Sequence, residues 1–364
     1  MDKISIVSTI YNKGPWLERF FETILNQTYQ NLEIVAVNNA ATDNSLEIIE
    51  KFAAKDSRVK VVQIDKNIGP SNGYKAGINA VTGEYFTFID ADDYIDSDYI
   101  EKLYNAIKNE DADVSMCVND LVWDSGKRWH KHWPSKKKYV IEGDSVKKLP
   151  MQMLDELSKD YYGFYMPEIG AVWCKMYKTS FIKNNQLNFE SNYWIWCDFV
   201  FNLFVMKKVK KMVYITTTCY HFYQSEDSVT RPRNMQIEQK NRVLMAMEKI
   251  HEGCKDIMTP ELEKASNRFY FNRIRDIANC YFNFVPNVLT AEDFNSIVHE
   301  MVTSPGGKQL LSSKYLPNMS LKEKLFMYAY RQSKTLLVCK INRFYMMPRR
   351  IASKIYRTLK LTVS

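Results

Sequence analysis

At 364 residues, with 46% hydrophobic and 25% charged side chains, the chain exceeds one typical domain and holds enough apolar material for a real core. Its seven cysteines are odd in number, scattered and nowhere spaced as C-x-x-C, which argues against a disulfide framework or a zinc finger and fits a reducing cytosol. The net charge of +8 belongs to the tail: from Lys324 onward there are ten Lys or Arg and no Asp or Glu, so the residues before it sum to −2.

The opening "MDKISIVSTIYN" reads as a strand rather than a signal peptide, and no run of 18 apolar residues predicts a membrane-spanning helix. "ISIVSTIYN" is a β-branched strand ending in turn residues. Residues 16 to 28 place Trp16, Leu17, Phe20, Phe21, Ile24 and Leu25 at helical spacing. "LEIVAVNNA" is a second strand, and "DNSLEIIEKFAAK" opens on a cap signal and continues as a helix. "VKVVQID" is a third strand, "NGYKAGINAVTG" a short helix stopped by Gly83, and "YFTFIDADD" a fourth strand. Strands separated by helices of this length predict an α/β fold, a mostly parallel sheet flanked by helices. Ligands of such sheets bind at the carboxyl ends of the strands, where Thr9–Tyr11–Asn12, Asn38–Asn39 and Asp90–Asp93 all fall. Residues 116 to 146 mix Trp with Lys, Arg and His and read as strands and a long loop beside the sheet. From about Met235 the pattern turns helical, which predicts a first domain over 1–230 and a helical C-terminal domain over 231–364.

The acids of "FIDADDYID" pose the main chemical question. Carboxylates this close repel one another unless water or a cation lies between them. Alone, the stretch reads either as a solvated turn that caps a helix or as a site for a metal.

Four segments together resemble the family 2 glycosyltransferases of GT-A fold: "VSTIYN" (7–12), "ILNQTYQNLEIVAVNNAATDNS" (24–45), "NIGPSNGYKAGINAVTGEYFTFIDADDYI" (67–95) and, more loosely, 196–230. The resemblance implies inverting transfer of a sugar from a nucleotide diphosphate sugar, usually UDP-linked, with Mn²⁺ or Mg²⁺. Asp90-Ala91-Asp92 matches the family's D-x-D position. It implies Asp92 as the direct metal ligand, with Asp90 and Ala91 nearer the ribose or a metal-bound water. Thr9, Tyr11 and Asn12 match the uracil and ribose pocket. "VNNAATDNS" departs from the family's V-D-D-G-S-T-D, so that Asn39 meets the base in place of an acid and Asp43 ends the segment. A carboxamide can still accept from an imide N–H, without charge assistance. Tyr74 stands where the family has Arg, and Lys75, where Asn is usual, is the substitute cation near the diphosphate.

Asp198 in "WIWCDFVF" matches one acid of the family's E-D pair, with Cys197 in place of the other. A carboxylate on the acceptor side takes the hydroxyl proton. Its aromatic neighbours Trp194, Trp196 and Phe199 should raise its pKa toward that of a useful base. Glu190 is the alternative base, and Trp194 and Trp196 read as an acceptor platform or as core. His221, after a predicted strand, is a third metal ligand or a diphosphate contact, as are Arg231 and Arg233 for the latter. The partners implied are a nucleotide sugar and a glycan or lipid-linked acceptor, and no nucleic acid.

The tail over 331–360 alternates apolar residues with nine Lys or Arg, split by Pro348. This basic amphipathic pattern predicts contact with an anionic membrane surface, at the inner face of the plasma membrane, or packing between copies in a homo-oligomer. The missing acids at Asn38, Asn39 and Cys197 leave a second reading open, a catalytically inactive nucleotide-sugar-binding or scaffold subunit.

Overall fold

The structure is a computed structural model that describes residues 1–224, apart from 68, 124, 131–136, 156, 157, 165 and 192, together with 239–284, 296, 299–314 and 327. Its contacts divide the chain into Met1–Glu226 and Asp227–Ser364. The expectations about Arg231, Arg233 and the tail over 331–360 lie outside the described residues.

The alternation of strand β1 (Ile4–Ile10) organises the first unit, because successive side chains leave opposite faces of the sheet. Ile4, Ile6 and Ile10 join a buried cluster with Leu17, Phe20, Phe21 and Ile24 of helix α1 (Gly14–Leu25) and Ile49 of α2 (Ser45–Lys55). On the other face lies α3 (Pro70–Ala80), which approaches through glycines. A Cβ at Gly73 would meet Thr9 Cγ2 at 2.2 Å, and one at Gly77 would meet Val7 Cγ1 at 2.3 Å.

Strands β2 (Leu32–Asn39), β3 (Val59–Ile64) and β4 (Tyr85–Phe88) pair in parallel around β1 in the order β3-β2-β1-β4. The buried carboxylate of Glu33 ties this half together. It accepts from Ser5 Oγ (2.5 Å), Thr82 N (2.6 Å) and Lys60 Nζ (2.8 Å), which join β1, β2, β3 and the turn before β4. Burial alone would raise its pKa, but these donors outweigh that and hold it well below the usual carboxylate range.

The other half of the sheet differs from a mostly parallel expectation. After β5 (Tyr94–Ile95) and α4 (Tyr99–Asn109) come β6 (Val114–Trp123), β7 (Arg128–His130) and β8 (Lys138–Glu142). Next are α5 (Leu149–Leu154), β9 (Lys175–Lys178), α6 (Thr179–Asn184), α7 (Cys197–Lys208) and the long β10 (Lys211–Gln224). All of these strands join the same sheet, in the order β4-β9-β6-β10-β5. Strand β9 runs antiparallel to both β4 and β6, so the sheet is mixed. The physical reason is the connection: the turns before β9 contain no crossover helix of the length that parallel neighbours need. His221 lies within β10, paired with Tyr94, rather than after a strand. An aromatic layer on the α3 side, Phe88 with Tyr74, Phe189, Tyr177 and Phe201, fastens β4, β9 and α7 to one another.

In the second unit, α8 (Gln239–Cys254), α9 (Pro260–Phe284) and α10 (Pro305–Ser312) pack together. Pro305 sits in the first turn of α10, and the Ser304 hydroxyl caps it by accepting from Gly307 N. Among the described residues no helix is long and apolar enough to cross a membrane.

The Gly77→Ala substitution tests the close approach of α3. On an exposed helix it would add roughly 1 kcal/mol. Here the overlap with Val7 should reverse the sign and cost about 1–3 kcal/mol. Thermal unfolding should show a lowered Tm, and an unchanged or raised one would contradict this packing.

Candidate active site

The carboxyl ends of β2, β1 and β4 lie side by side, and the chain leaving β4 supplies the acids. Ile89 N still donates to Val7 O (3.1 Å), so Asp90 is the first residue beyond the paired strand. A tight turn follows, in which Asp93 N donates to Asp90 O (3.0 Å). The three acids are then managed in three ways. Asp93 is buried, and its carboxyl accepts from Tyr220 Oη (2.5 Å) and Tyr223 N (2.8 Å) of β10. Burial first, then the charges of Asp92 and Asp90, push its pKa up, and its carboxyl tethers the turn to β10 and does not cap a helix. Asp90 accepts from Tyr74 Oη (3.0 Å), and burial with the neighbouring Asp92 charge raises its pKa to about 7. Asp92 keeps a partly exposed carboxylate, paired with Lys13 Nζ at 2.5 Å, and its backbone carbonyl accepts from Arg19 Nη2 (2.7 Å).

Asp198 reaches this place from a distant part of the chain. It lies in the first turn of α7, whose N-cap Trp196 is held at φ +56. Burial raises its pKa, against the opposing pull of its own and Phe199's backbone N–H and of Lys175. Its charge is felt at both Asp90 and Tyr74, so Tyr74, bonded to Asp90, lies within electrostatic reach of the acids of two separate segments. Glu190, the alternative base, is exposed. Behind Asp198 the wholly buried Lys175 donates to Glu168 O (2.8 Å) and Ala171 O (2.5 Å). One helical turn past Asp198, Asn202 Nδ2 donates to the same Ala171 O (2.8 Å).

The strand ends also sort the nucleotide candidates. Asn38 is consumed by structure, giving Nδ2 to Gln63 Oε1 (2.9 Å) and taking Ala41 N on Oδ1 (3.1 Å). Asn39 is different. Its Nδ2 donates to Asn67 Oδ1 (3.3 Å) and Gly69 O (3.4 Å), while its Oδ1, like Thr9 Oγ1, is buried without a hydrogen-bond partner among the described residues. Buried polar atoms of this kind await a ligand or a water. Tyr11 is 41% exposed, which leaves its ring available to a base. Gly69, at φ +103, lies so close to the Trp194 indole that a Cβ there would meet its ring at 3.0 Å. Trp194 therefore covers the start of α3.

Three other candidates serve the scaffold. Asn12, at φ +52, accepts from Thr42 N (2.8 Å), and Asp43 accepts from Gly14 N (3.0 Å) and Ser45 N (2.9 Å). Burial opposes ionisation of Asp43, but these donors win and lower its pKa. Lys75 Nζ reaches toward Ser191 Oγ (3.4 Å) on the segment that carries Trp194. His221 is engaged by acids other than Asp92. Its Nε2 faces Asp96 Oδ1 (2.9 Å), its Nδ1 faces Asp120 Oδ1 (3.3 Å), and its ring stacks on Tyr94. The β10 pleat explains this, since neighbouring Tyr220, not His221, is the residue turned to Asp93. Among the described residues no group of three or more His, Cys, Asp or Glu is arranged to hold a metal. Lys13, Arg19, Tyr220 and Lys175 were not anticipated. Lys13 carries a signal in hindsight, because it directly follows the strand-end "YN".

Lys175 makes a pH-dependent prediction. Burial lowers its folded-state pKa from 10.5 to about 8, so between those values the unfolded chain binds more protons and stability rises with pH. Relative to Lys175→Met, the wild-type protein should gain about 3 kcal/mol between pH 7.5 and 10.5. Denaturant titrations at the two pH values measure it, and equal differences would reject a lowered pKa for Lys175.

The comparisons agree with this geometry. Residues 5–167 match the family model described as "Glycosyl transferase family 2". Glycosyltransferase GlyA of Streptococcus pneumoniae is 29% identical over 232 residues, 63% of this chain and 32% of that protein. Glycosyltransferase GlyG of the same organism is 43% identical over 111 residues, 30% of this chain and 37% of that protein. The chain thus spans about a third of the length of these two relatives. The crystal structure of S. aureus TarS 1–349 superposes with a TM-score of 0.65 at 16% identity, covering 95% of this chain and 92% of that one. TarS 1–349 has also been solved in complex with UDP and with UDP-GlcNAc. The mixed sheet, its strand-end acids and the match over 5–167 agree on one likeness: this part of the chain is similar to glycosyl transferase family 2.

Proposed function

We propose that the protein moves a sugar from a nucleotide diphosphate sugar, a UDP-sugar, to a hydroxyl of a glycan or lipid-linked acceptor, with inversion at the anomeric carbon. The observation that supports this reading is that Asp90 feels the charges of both Asp92 and Asp198, while Thr9 Oγ1 and Asn39 Oδ1 at the neighbouring strand ends are buried without a hydrogen-bond partner among the described residues. The UDP and UDP-GlcNAc complexes of TarS, whose fold is similar, support the choice of donor.

The site fits a divalent cation. Asp90 and Asp92 are hard oxygen donors; burial, and after it the Asp92 charge, raises Asp90's pKa, and a cation would offset both. With few protein ligands, phosphates and water would complete its shell, and the cation supplies Lewis-acid neutralisation of the leaving diphosphate. The chain's own groups do the rest. Asn39 Oδ1 accepts from the base, the Tyr11 ring stacks on it, and Thr9 Oγ1 bonds the nucleoside. Tyr74 holds Asp90 in place by its hydroxyl. Asp198, desolvated and raised in pKa, takes the proton of the attacking acceptor hydroxyl, and Trp194 and Trp196 offer faces to an acceptor sugar. The basic tail over 331–360 would hold the enzyme at the inner face of the plasma membrane, beside a lipid-linked acceptor.

Hydrolysis of UDP-sugars in the presence of Mn²⁺ tests the reading. Asp92→Ala should abolish release of UDP. Asp198→Asn should lower acceptor-dependent turnover by about 10²–10⁴-fold. Wild-type turnover should fall as pH drops through the raised pKa of Asp198, because the base must be ionised. Undiminished turnover in Asp198→Asn would remove Asp198 from the base role, and no hydrolysis of any nucleotide sugar would favour a binding subunit.

A further inference from the structure

The most direct unexplained contact at the site is the one between Lys13 and Asp92. Lys13 Nζ lies 2.5 Å from Asp92 Oδ2, and the two side chains are 32% and 23% exposed, so the pair is partly shielded from water. Among the described residues Lys13 is the cation paired with this carboxylate. Arg19 does not share the role. Its guanidinium stacks between Tyr94 (4.8 Å) and Tyr223 (4.7 Å) and is spent on the Asp92 carbonyl.

The backbone around Lys13 is pinned and its side chain is not. Lys13 N donates to Ser45 Oγ (2.9 Å), and its neighbours Asn12 and Gly14 are bonded to Thr42 and Asp43. The four-carbon stem runs past the Trp16 ring, with Nζ 5.3 Å from its centroid. An ammonium on such a stem makes a point contact that exchanges easily, unlike the two-pronged grip of an Arg. It can leave Asp92 by side-chain rotation alone.

A divalent cation on the same carboxylate would face this ammonium at a few ångströms, where like charges repel strongly. The cation therefore binds either against Lys13 or after Lys13 has found another anion. A diphosphate arriving with the cation is such an anion. We propose that Lys13 is the resident counter-cation of Asp92, and that a nucleoside diphosphate and the divalent cation bind cooperatively because the diphosphate draws Lys13 away. The consequence is that metal alone binds weakly and loads together with the donor. Reciprocity requires that the metal tighten the nucleotide by the same factor. This inference rests on the reading of Asp92 as the metal-binding carboxylate.

Mn²⁺ binding to the full chain, followed by the electron paramagnetic resonance signal of free Mn²⁺ with and without UDP, tests it without a turnover measurement. Lys13→Gln should bind Mn²⁺ alone about fivefold more tightly than wild type, the worth of a partly exposed ion pair. It should also lose most of the tightening that UDP confers on the wild-type protein. Lys13→Arg, which keeps the charge, should still disfavour Mn²⁺ alone and so separates charge from misfolding. Equal or weaker Mn²⁺ binding by Lys13→Gln without UDP, or an undiminished effect of UDP, would overturn the role of Lys13 while Asp92 stands. Asp92→Asn is the reference: if wild type with UDP retains no more Mn²⁺ than this variant, the metal reading falls and the inference with it.

Discussion

Charge crowding at the end of β4 is the constraint around which the site is built. Three carboxyls within four residues cannot all stay ionised and close in a partly dry place. The fold separates their fates. Asp93 is buried with its pKa pushed up, and its bonds to Tyr220 and Tyr223 weld the turn to β10. Asp90 is raised in pKa by burial and the Asp92 charge, and the Tyr74 hydroxyl opposes that rise. Asp92 alone keeps an accessible carboxylate, balanced by a lysine. Each solution uses a different element, so the turn holds its shape only when β10, α3 and the β1–α1 loop are all in place.

Helix α3 carries a second dependence. Its glycines let it lie against β1, and that closeness brings Tyr74 to Asp90 on one side and Phe189 on the other. Phe189 stacks on Phe201 of α7, the helix whose first turn holds Asp198. A continuous aromatic contact thus runs from Tyr74, which bonds Asp90, to the helix that carries Asp198. The inserted antiparallel β9 makes this possible, because it places Tyr177 and Lys175 beneath α7.

Much of the first half was legible. Strands β1 to β4 announce themselves by β-branched runs bounded by turn residues, and α1 to α3 by apolar spacing and caps, because local patterning is what specifies them. The second half was less so. "KMYK" is four residues long with no alternation to read, and its antiparallel insertion depends on long-range pairing. Within the site, Asp90, Asp92, Asp198 and Asn39 could be singled out by residue type and position. His221 could not be placed correctly, since one step along a pleated strand decides whether a side chain meets Asp93 or Asp96. The split between Asn38 and Asn39 was equally invisible: identical residues, adjacent, one closed by Gln63 and Ala41, the other open.

By itself the sequence determined the layered α/β plan, the loading of acids onto one strand end and the basic bias of the last forty residues. These follow from periodicity, propensity and composition, which act over a few residues. Only the tertiary structure decided which acids are buried, which stay partly exposed and which partner each one meets. Those outcomes depend on burial and on partners brought from tens to more than a hundred residues away, as Tyr220 is to Asp93 and Lys13 to Asp92. Charge state is a property of surroundings, and surroundings exist only once the chain has folded.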